Sequence, residues 1–304
     1  MDSTNKINLF KERTLGERFS AAAGFTRQNW KIIAKNLLYV GIPLALIMGF
    51  GLDRYMKASL TTDPAQNPIE LLLSYGITLL GSMLIYLFIS GITGAIMQKY
   101  QANELNKETG WTELGGTALR IIKNLFFQML LLTLISSIII LCIAVIVALI
   151  APEMDMDSST TILISVGIIG IFSLIALALA PSVTLIVMPV IIENKPVWES
   201  IKKGFRLGFK YWGSTFVTAL LGGLLYGVAY TIFLMPYSIY LGISIGTGGQ
   251  SNDIVSFVLI LLPTLVMLFT LPVYIVFLAF QYCSVVEREE GITLTKNIDS
   301  FEKM

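Results

Sequence analysis

Four cations, Lys202, Lys203, Arg206 and Lys210, crowd the stretch PVWESIKKGFRLGFKYW ahead of Trp212, in a chain otherwise almost free of charge through its middle. Cations set among aromatics at helical spacing bind anions. Beside a bilayer the anion is a phospholipid headgroup, and each Lys or Arg near an anionic leaflet contributes about 1 kcal/mol. As a helix, the stretch places Val197, Ile201, Phe205, Gly208 and Trp212 on one face and Lys202, Arg206 and Lys210 on another. That is the pattern of a helix lying in the membrane interface, apolar side down. Lys202, Lys203, Arg206, Lys210 and Trp212 are therefore the expected membrane-surface residues. A second reading stays open, in which the cations serve only as a topology signal.

The same construction occurs three times. TLGERFSAAAGFTRQNW, GWTELGGTALRIIKNLF and PVWESIKKGFRLGFKYW each carry Glu in the fourth place, Glu17, Glu113 and Glu199. Each has an aromatic thirteen residues later, Trp30, Phe126 and Trp212. Each runs into a long apolar stretch. Three matches at one register predict an internal repeat of an interfacial helix and a transmembrane hairpin. The units are about 14–98, 110–192 and 196–286, with 287–304 a cytoplasmic tail. Thr14 and Glu17 have the spacing of a helix-capping box. The glutamates are read as helix-start devices, with an acidic cluster as the alternative.

Catalytic chemistry finds little material. The chain has no histidine, which removes a Ser–His–Asp hydrolase and any imidazole-built iron or zinc site. Cys142 and Cys283 both lie in apolar runs and read as packing residues. No GxxxxGK[ST] phosphate loop appears, nor GxGxxG before a helix. The expectation is no enzyme, no cofactor and no metal. An enzyme acting on lipid would need its catalytic groups among interfacial residues such as Glu113, Glu193 or Glu199.

These residues must be positioned by membrane helices. The 304 residues are 55% hydrophobic and 13% charged, against about 25% charged in soluble domains; mean hydropathy is +0.76. Six runs without Lys, Arg, Asp or Glu, at 36–52, 71–97, 124–150, 161–192, 212–243 and 254–286, approach or exceed the roughly 20 residues a spanning helix needs. None alternates as a barrel strand does. The fold class expected is an all-α integral membrane protein of six transmembrane helices. No cleaved signal peptide is expected, because the polar start leads into no short apolar segment with a small-residue cleavage site.

Of the 21 Lys and Arg residues, all but Arg54 and Lys57 fall on one side of this arrangement. The positive-inside rule then puts both termini and the two long loops in the cytoplasm, with the protein in the plasma (inner) membrane. A cysteine at Ser158 is expected to react with an impermeant thiol reagent from outside, and one at Ser200 is not. The opposite labelling would reverse the topology.

Within the spans the polar groups are mostly hydroxyls. Tyr75, Thr78, Ser82, Tyr86, Ser90 and Thr93 form one stripe, read as hydrogen-bond glue between helices or as a cavity lining. Gly223 and Gly227 have small-xxx-small spacing. Pro43, Pro181, Pro189, Pro236, Pro263 and Pro272 interrupt the runs.

IIENKPVWESIKKGFRLGFKYWGSTFVTALLGGLL resembles bacterial multi-pass proteins related to the membrane domain of glycerophosphoryl diester phosphodiesterases. The match is carried by Ile192 and Glu193, by Val197 to Phe205 and by Trp212. RFSAAAGFTRQNWKIIAKNLLYVGIPLAL looks like the opening of the same family. The resemblance implies the fold. In that family the phosphodiester chemistry sits in a separate soluble domain, for which this chain has no room, so it argues against that activity here. Mitochondrial solute carriers also repeat two spans three times, but place their amphipathic helices within the hairpin, opposite the termini.

The function expected is a non-enzymatic membrane protein that organises lipids or partner proteins at the cytoplasmic leaflet. Its partners are membrane lipids with anionic headgroups and not nucleic acid. The alternative is a transporter or lipid-handling protein with a site between the spans.

Overall fold

A computed structural model describes residues 6–61, 68–106, 108–150, 158–247 and 252–292. Among the described residues eight helices run in order: α1 (Leu15–Thr61), α2 (Pro68–Gln101), α3 (Trp111–Ile150), α4 (Ser158–Ile186), α5 (Met188–Glu193), α6 (Val197–Lys210), α7 (Trp212–Gly246) and α8 (Asp253–Glu290). No strand occurs among the described residues. Six of the helices are long and apolar enough to cross a membrane, which makes the chain a multi-pass, membrane-integral protein. The acidic loop 151–157 and the tail beyond residue 292, where Leu294, Ile298 and Phe301 have the spacing of a short interfacial helix, lie outside the described residues.

The glutamates mark helix starts, as their spacing predicts. Glu17, Glu113 and Glu199 each occupy the first turn of a helix, at α1, α3 and α6, where a carboxylate meets the positive end of the helix dipole. At α1 the capping box closes. Thr14 N–H donates to Glu17 Oε2 at 2.8 Å, and Glu17 N–H donates back to Thr14 Oγ1 at 3.5 Å.

Beyond these starts the three openings diverge. α1 runs unbroken for 47 residues and α3 for 40, roughly 70 and 60 Å at 1.5 Å per residue. Each carries its amphipathic opening and its span as one helix. The third opening is separate: α6 ends at Tyr211, which leaves helical geometry at φ −114° and ψ 36°, and Trp212 starts α7. Of the six prolines, Pro43, Pro181, Pro236, Pro263 and Pro272 lie inside spanning helices that continue past them, while Pro189 marks the start of α5 after the break at Val187.

Two compact units form. One comprises Met1–Ile122 with Val217–Met304, and the other Lys123–Phe216. In the first, α1 packs along α2 and α8. Phe19 sits 3.8 Å from Phe277 between ring centroids, and Phe25 meets Tyr100 and Phe280 edge-on. The segment before α1 is held by Arg13, which is 8% exposed. Its guanidinium donates to the carbonyls of Leu9, Lys11 and Asn8, and its N–H donates to Ser284 Oγ at 2.9 Å. Burial lowers the Arg13 pKa from its ordinary value, opposed by Cys283 and Glu17. The half-buried Arg18 donates to Gln281 Oε1, and Thr218 Oγ1 donates to the same atom at 3.2 Å, tying α1, α7 and α8 through polar groups.

At the other end of these helices α1 continues past residue 52, the expected end of its span, and takes Asp53 and Lys57 with it. Lys57 Nζ bridges Asp53 at 3.0 Å and Asp253 at 2.7 Å, and Tyr237 O–H donates to Asp53 at 3.2 Å. Tyr237 is fully buried, in a core with Leu241 and Ile260.

In the second unit α4 and α6 lie against one another. A Cβ added at Gly204 would fall 2.4 Å from Ile186 Cα, and one at Gly208 would fall 2.3 Å from Ser182 Cα. Trp212 Nε1–H donates to the Ala178 carbonyl at 2.8 Å. Positions 204, 208 and 212 thus step by four against 186, 182 and 178, so the two helices run antiparallel with backbones in contact. Gly223 and Gly227, with the same small-xxx-small spacing, make no such close contact among the described residues: a Cβ at either would meet nothing within 4 Å.

Candidate membrane-surface site

The cationic stretch from Pro196 to Trp212 is held from both ends. α5 finishes at Glu193, and Asn194 takes the left-handed conformation, φ 53°, that asparagine tolerates better than most residues. Lys195 N–H returns to the Pro189 carbonyl at 3.2 Å, and Pro196 caps α6. Glu193 then receives Lys203 Nζ at 2.9 and 3.1 Å and Lys195 Nζ at 3.4 Å.

The buried face of α6 is Ser200, Lys203, Gly204, Leu207 and Gly208. It takes only Gly208 from the face expected to lie against the membrane. Of Val197, Ile201, Phe205, Gly208 and Trp212, only Gly208 is buried, and Phe205 is exposed. The aromatics instead point outward, with Trp198 60%, Phe205 41% and Phe209 47% exposed. Lys202, Arg206 and Lys210 form an exposed row beside them. Lys202 Nζ stands 5.3 Å from the Trp198 ring centre, and Phe205 and Phe209 pair edge-on at 4.8 Å.

The expected site residues therefore divide. Lys202, Arg206 and Lys210 present their charge outward. Lys203 is 8% exposed and is held by Glu193, and its loss would leave a partly buried carboxylate with less compensation. Trp212 fastens the start of α7 to α4 and stacks on Phe216 with centroids 4.9 Å apart. Ser200, the expected cytoplasmic labelling position, is fully buried, so the exposed Glu199 is the sound position for that test.

The other repeated residues serve packing or caps. Trp30 packs on Phe269 at 5.7 Å and Phe126 on Phe127 at 5.8 Å. Cys283 is buried and Cys142 exposed, both as free thiols. In the hydroxyl stripe of α2, Thr78 and Ser82 donate to carbonyls of their own helix, so neither donates to a second helix. Glu113 lines a polar cleft with Glu104, Lys99 and Arg120. Among the described residues no group of three or more His, Cys, Asp or Glu is placed to hold a metal ion.

A crevice of about 280 Å³ opens between α1, α7 and α8, lined by Phe19, Ala22, Leu225, Tyr226, Tyr274 and Phe277 among others. Its wall is mostly apolar, broken by Tyr226, Tyr274 and Thr270.

Sequence reasoning missed the Glu193–Lys203 pair and the bridge at Lys57. The i,i+4 spacing of Asp53 and Lys57 was legible. The approach of Asp253, nearly two hundred residues away, was not.

No family model matches the chain, and no curated protein or solved structure is significantly similar to it.

Proposed function

We propose that the protein is a non-enzymatic organiser of the cytoplasmic leaflet, with α6 as its contact surface for anionic headgroups. The observation that carries this reading is the division of α6. Its glycine edge is taken up by α4, which leaves Trp198, Phe205 and Phe209 beside Lys202, Arg206 and Lys210. Aromatics at the level of the headgroups and cations toward the anionic surface are what an interfacial helix offers. Three outward cations contribute about 3 kcal/mol at an anionic surface. In this orientation the plasma membrane holds the protein with both termini in the cytoplasm. Thiol labelling from outside, at Ser158 but not at Glu199, tests that topology.

The reading includes a threefold repeat of such openings. Aligned on their glutamates, the openings of α1, α3 and α6 bury Ala22, Ala118 and Gly204 at one position and Phe25, Ile121 and Leu207 at another. Each opening meets the late part of a span: Phe25 meets Phe280 of α8, Ala118 and Ile122 meet Gly91 of α2, and Gly204 meets Ile186 of α4. The likeness to the membrane domain of glycerophosphoryl diester phosphodiesterases belongs to this proposal, for the fold only.

The crevice between α1, α7 and α8 favours a second reading, lipid handling between the spans. Its apolar wall suits an acyl chain better than a polar solute.

The test is thermal unfolding of the purified chain in detergent with added phosphatidylglycerol or phosphatidylcholine. A ligand that binds only the folded state raises its stability. Phosphatidylglycerol is expected to raise the melting temperature of the parent more than phosphatidylcholine does. In the variant K202E/R206E/K210E that difference is lost. Equal stabilisation of parent and variant by phosphatidylglycerol would count against α6 as the contact surface.

A further inference from the structure

A second polar site lies at the junction of α2 and α3. A cleft of about 510 Å³ is lined there by Lys99 and Arg120, by Glu104 and Glu113, and by the hydroxyl-bearing Thr112 and Thr117. Ala102 and Gly116 also line it, and a Cβ added at Gly116 would meet nothing within 4 Å, so the helix surface there is open. Lys99 and Glu104 approach only to 3.8 Å. Both elements leave their charge-free runs here: α2 carries no charge from residue 71 to 97, and α3 carries none from 124 to 150. The cleft therefore stands where spans emerge from hydrocarbon. Leu119 of α3, between Thr117 and Arg120 in sequence, is an exposed apolar side chain.

We propose that this cleft binds the headgroup of a zwitterionic phospholipid with a primary ammonium, the phosphoethanolamine class. The two cations and two threonine hydroxyls suit phosphate oxygens. The two carboxylates suit the ammonium and oppose a headgroup that is anionic only. No aromatic ring lines the cleft. A quaternary ammonium is typically recognised by an aromatic cage, whereas a primary ammonium donates hydrogen bonds to carboxylates. The exposed Leu119 offers apolar surface to the acyl chains. The site is independent of α6, and its ligand differs from the anionic lipid assigned to that helix.

Native mass spectrometry of the full chain, titrated with phosphatidylethanolamine, phosphatidylcholine and phosphatidylglycerol of one chain length, tests the assignment. The parent is expected to bind phosphatidylethanolamine about tenfold more tightly than either of the others, as one charge-assisted hydrogen bond supplies. Replacing Glu104 and Glu113 together by glutamine removes that preference, and Arg120→Gln weakens phosphatidylethanolamine and phosphatidylglycerol alike. Gly116→Leu fills the cleft from open space with every charge intact and also removes the preference. K202E/R206E/K210E keeps it, so failure here and failure of the α6 reading are told apart. Free glycerophosphoethanolamine competes only at concentrations at least about a hundredfold higher, because it lacks the buried chains. Equal binding of phosphatidylethanolamine and phosphatidylcholine to the parent overturns the proposal, as does a preference that survives in both the double glutamine variant and Gly116→Leu. Competition by glycerophosphoethanolamine at the lipid's own concentration overturns the assignment to a lipid.

Discussion

Gly208→Leu is expected to destabilise the protein by about 3 kcal/mol or more, the upper range for overpacking a close contact. A Cβ at this position falls 2.3 Å from Ser182 Cα and 2.9 Å from Ser182 N. Both are backbone atoms of α4, so no side-chain rotation relieves the overlap. The helices must separate, which also pulls Gly204 from Ile186 and Trp212 from the Ala178 carbonyl. Gly227→Ala is the control. It has the same small-xxx-small spacing from Gly223 that Gly208 has from Gly204, but its Cβ meets nothing within 4 Å. There the gain in helix propensity, up to about 1 kcal/mol, acts alone. Thermal unfolding in one detergent reads both. A Gly208→Leu variant that melts with the parent would mean that α6 does not pack on α4.

The second large effect is expected at Lys57. Its ammonium compensates Asp53, whose side chain is 6% exposed. Lys57→Met removes the cation and leaves Asp53 with the Tyr237 hydroxyl. Breaking a buried pair from one side costs about 3–5 kcal/mol, because the remaining charge is stranded. Asp53→Asn on the Lys57→Met background recovers much of that loss, since it removes the stranded charge. Asp253→Asn changes stability little, because the Asp253 side chain is 78% exposed and exposed pairs are screened. Chemical unfolding of the three variants separates these outcomes. A Lys57→Met loss no larger than that of Asp253→Asn would make Asp53 a solvated residue.

The six spans were legible because a bilayer imposes a length and excludes charge, and both conditions can be read from a chain. The helix starts at Glu17, Glu113 and Glu199 were legible for the same kind of reason, a carboxylate placed at the positive end of a dipole. The packing of α6 was not. Spacing put Val197, Ile201, Phe205, Gly208 and Trp212 on one face toward the membrane and gave no sign that Gly208 turns to α4. Beside a bilayer, lipid is as apolar as any side chain, so aromatics lose nothing by facing it, and close helix contact falls to small residues. That is why Gly204 and Gly208 face α4 while Phe205 and Phe209 face out. Spacing alone could not separate Gly204 and Gly208 from Gly223 and Gly227, because the pattern is identical and only the neighbouring helix differs. Lys203 was grouped with Lys202 by sequence position, but one residue of helix turns it by about 100° toward Glu193. The cleft at Lys99, Glu104, Glu113 and Arg120 draws on two elements, and neither shows it alone.

The central claim, that the outer row of α6 is a surface for anionic lipid, is tested most directly by the lipid that travels with the protein. The parent and K202E/R206E/K210E are purified from the same membrane in mild detergent, and their bound lipids are identified by mass spectrometry. The prediction is an anionic phospholipid in stoichiometric amount on the parent and its loss from the variant, with Lys203 and its partner Glu193 left in place. The same anionic lipid retained in equal amount by both would contradict the account and reduce the cations of α6 to a signal for membrane orientation.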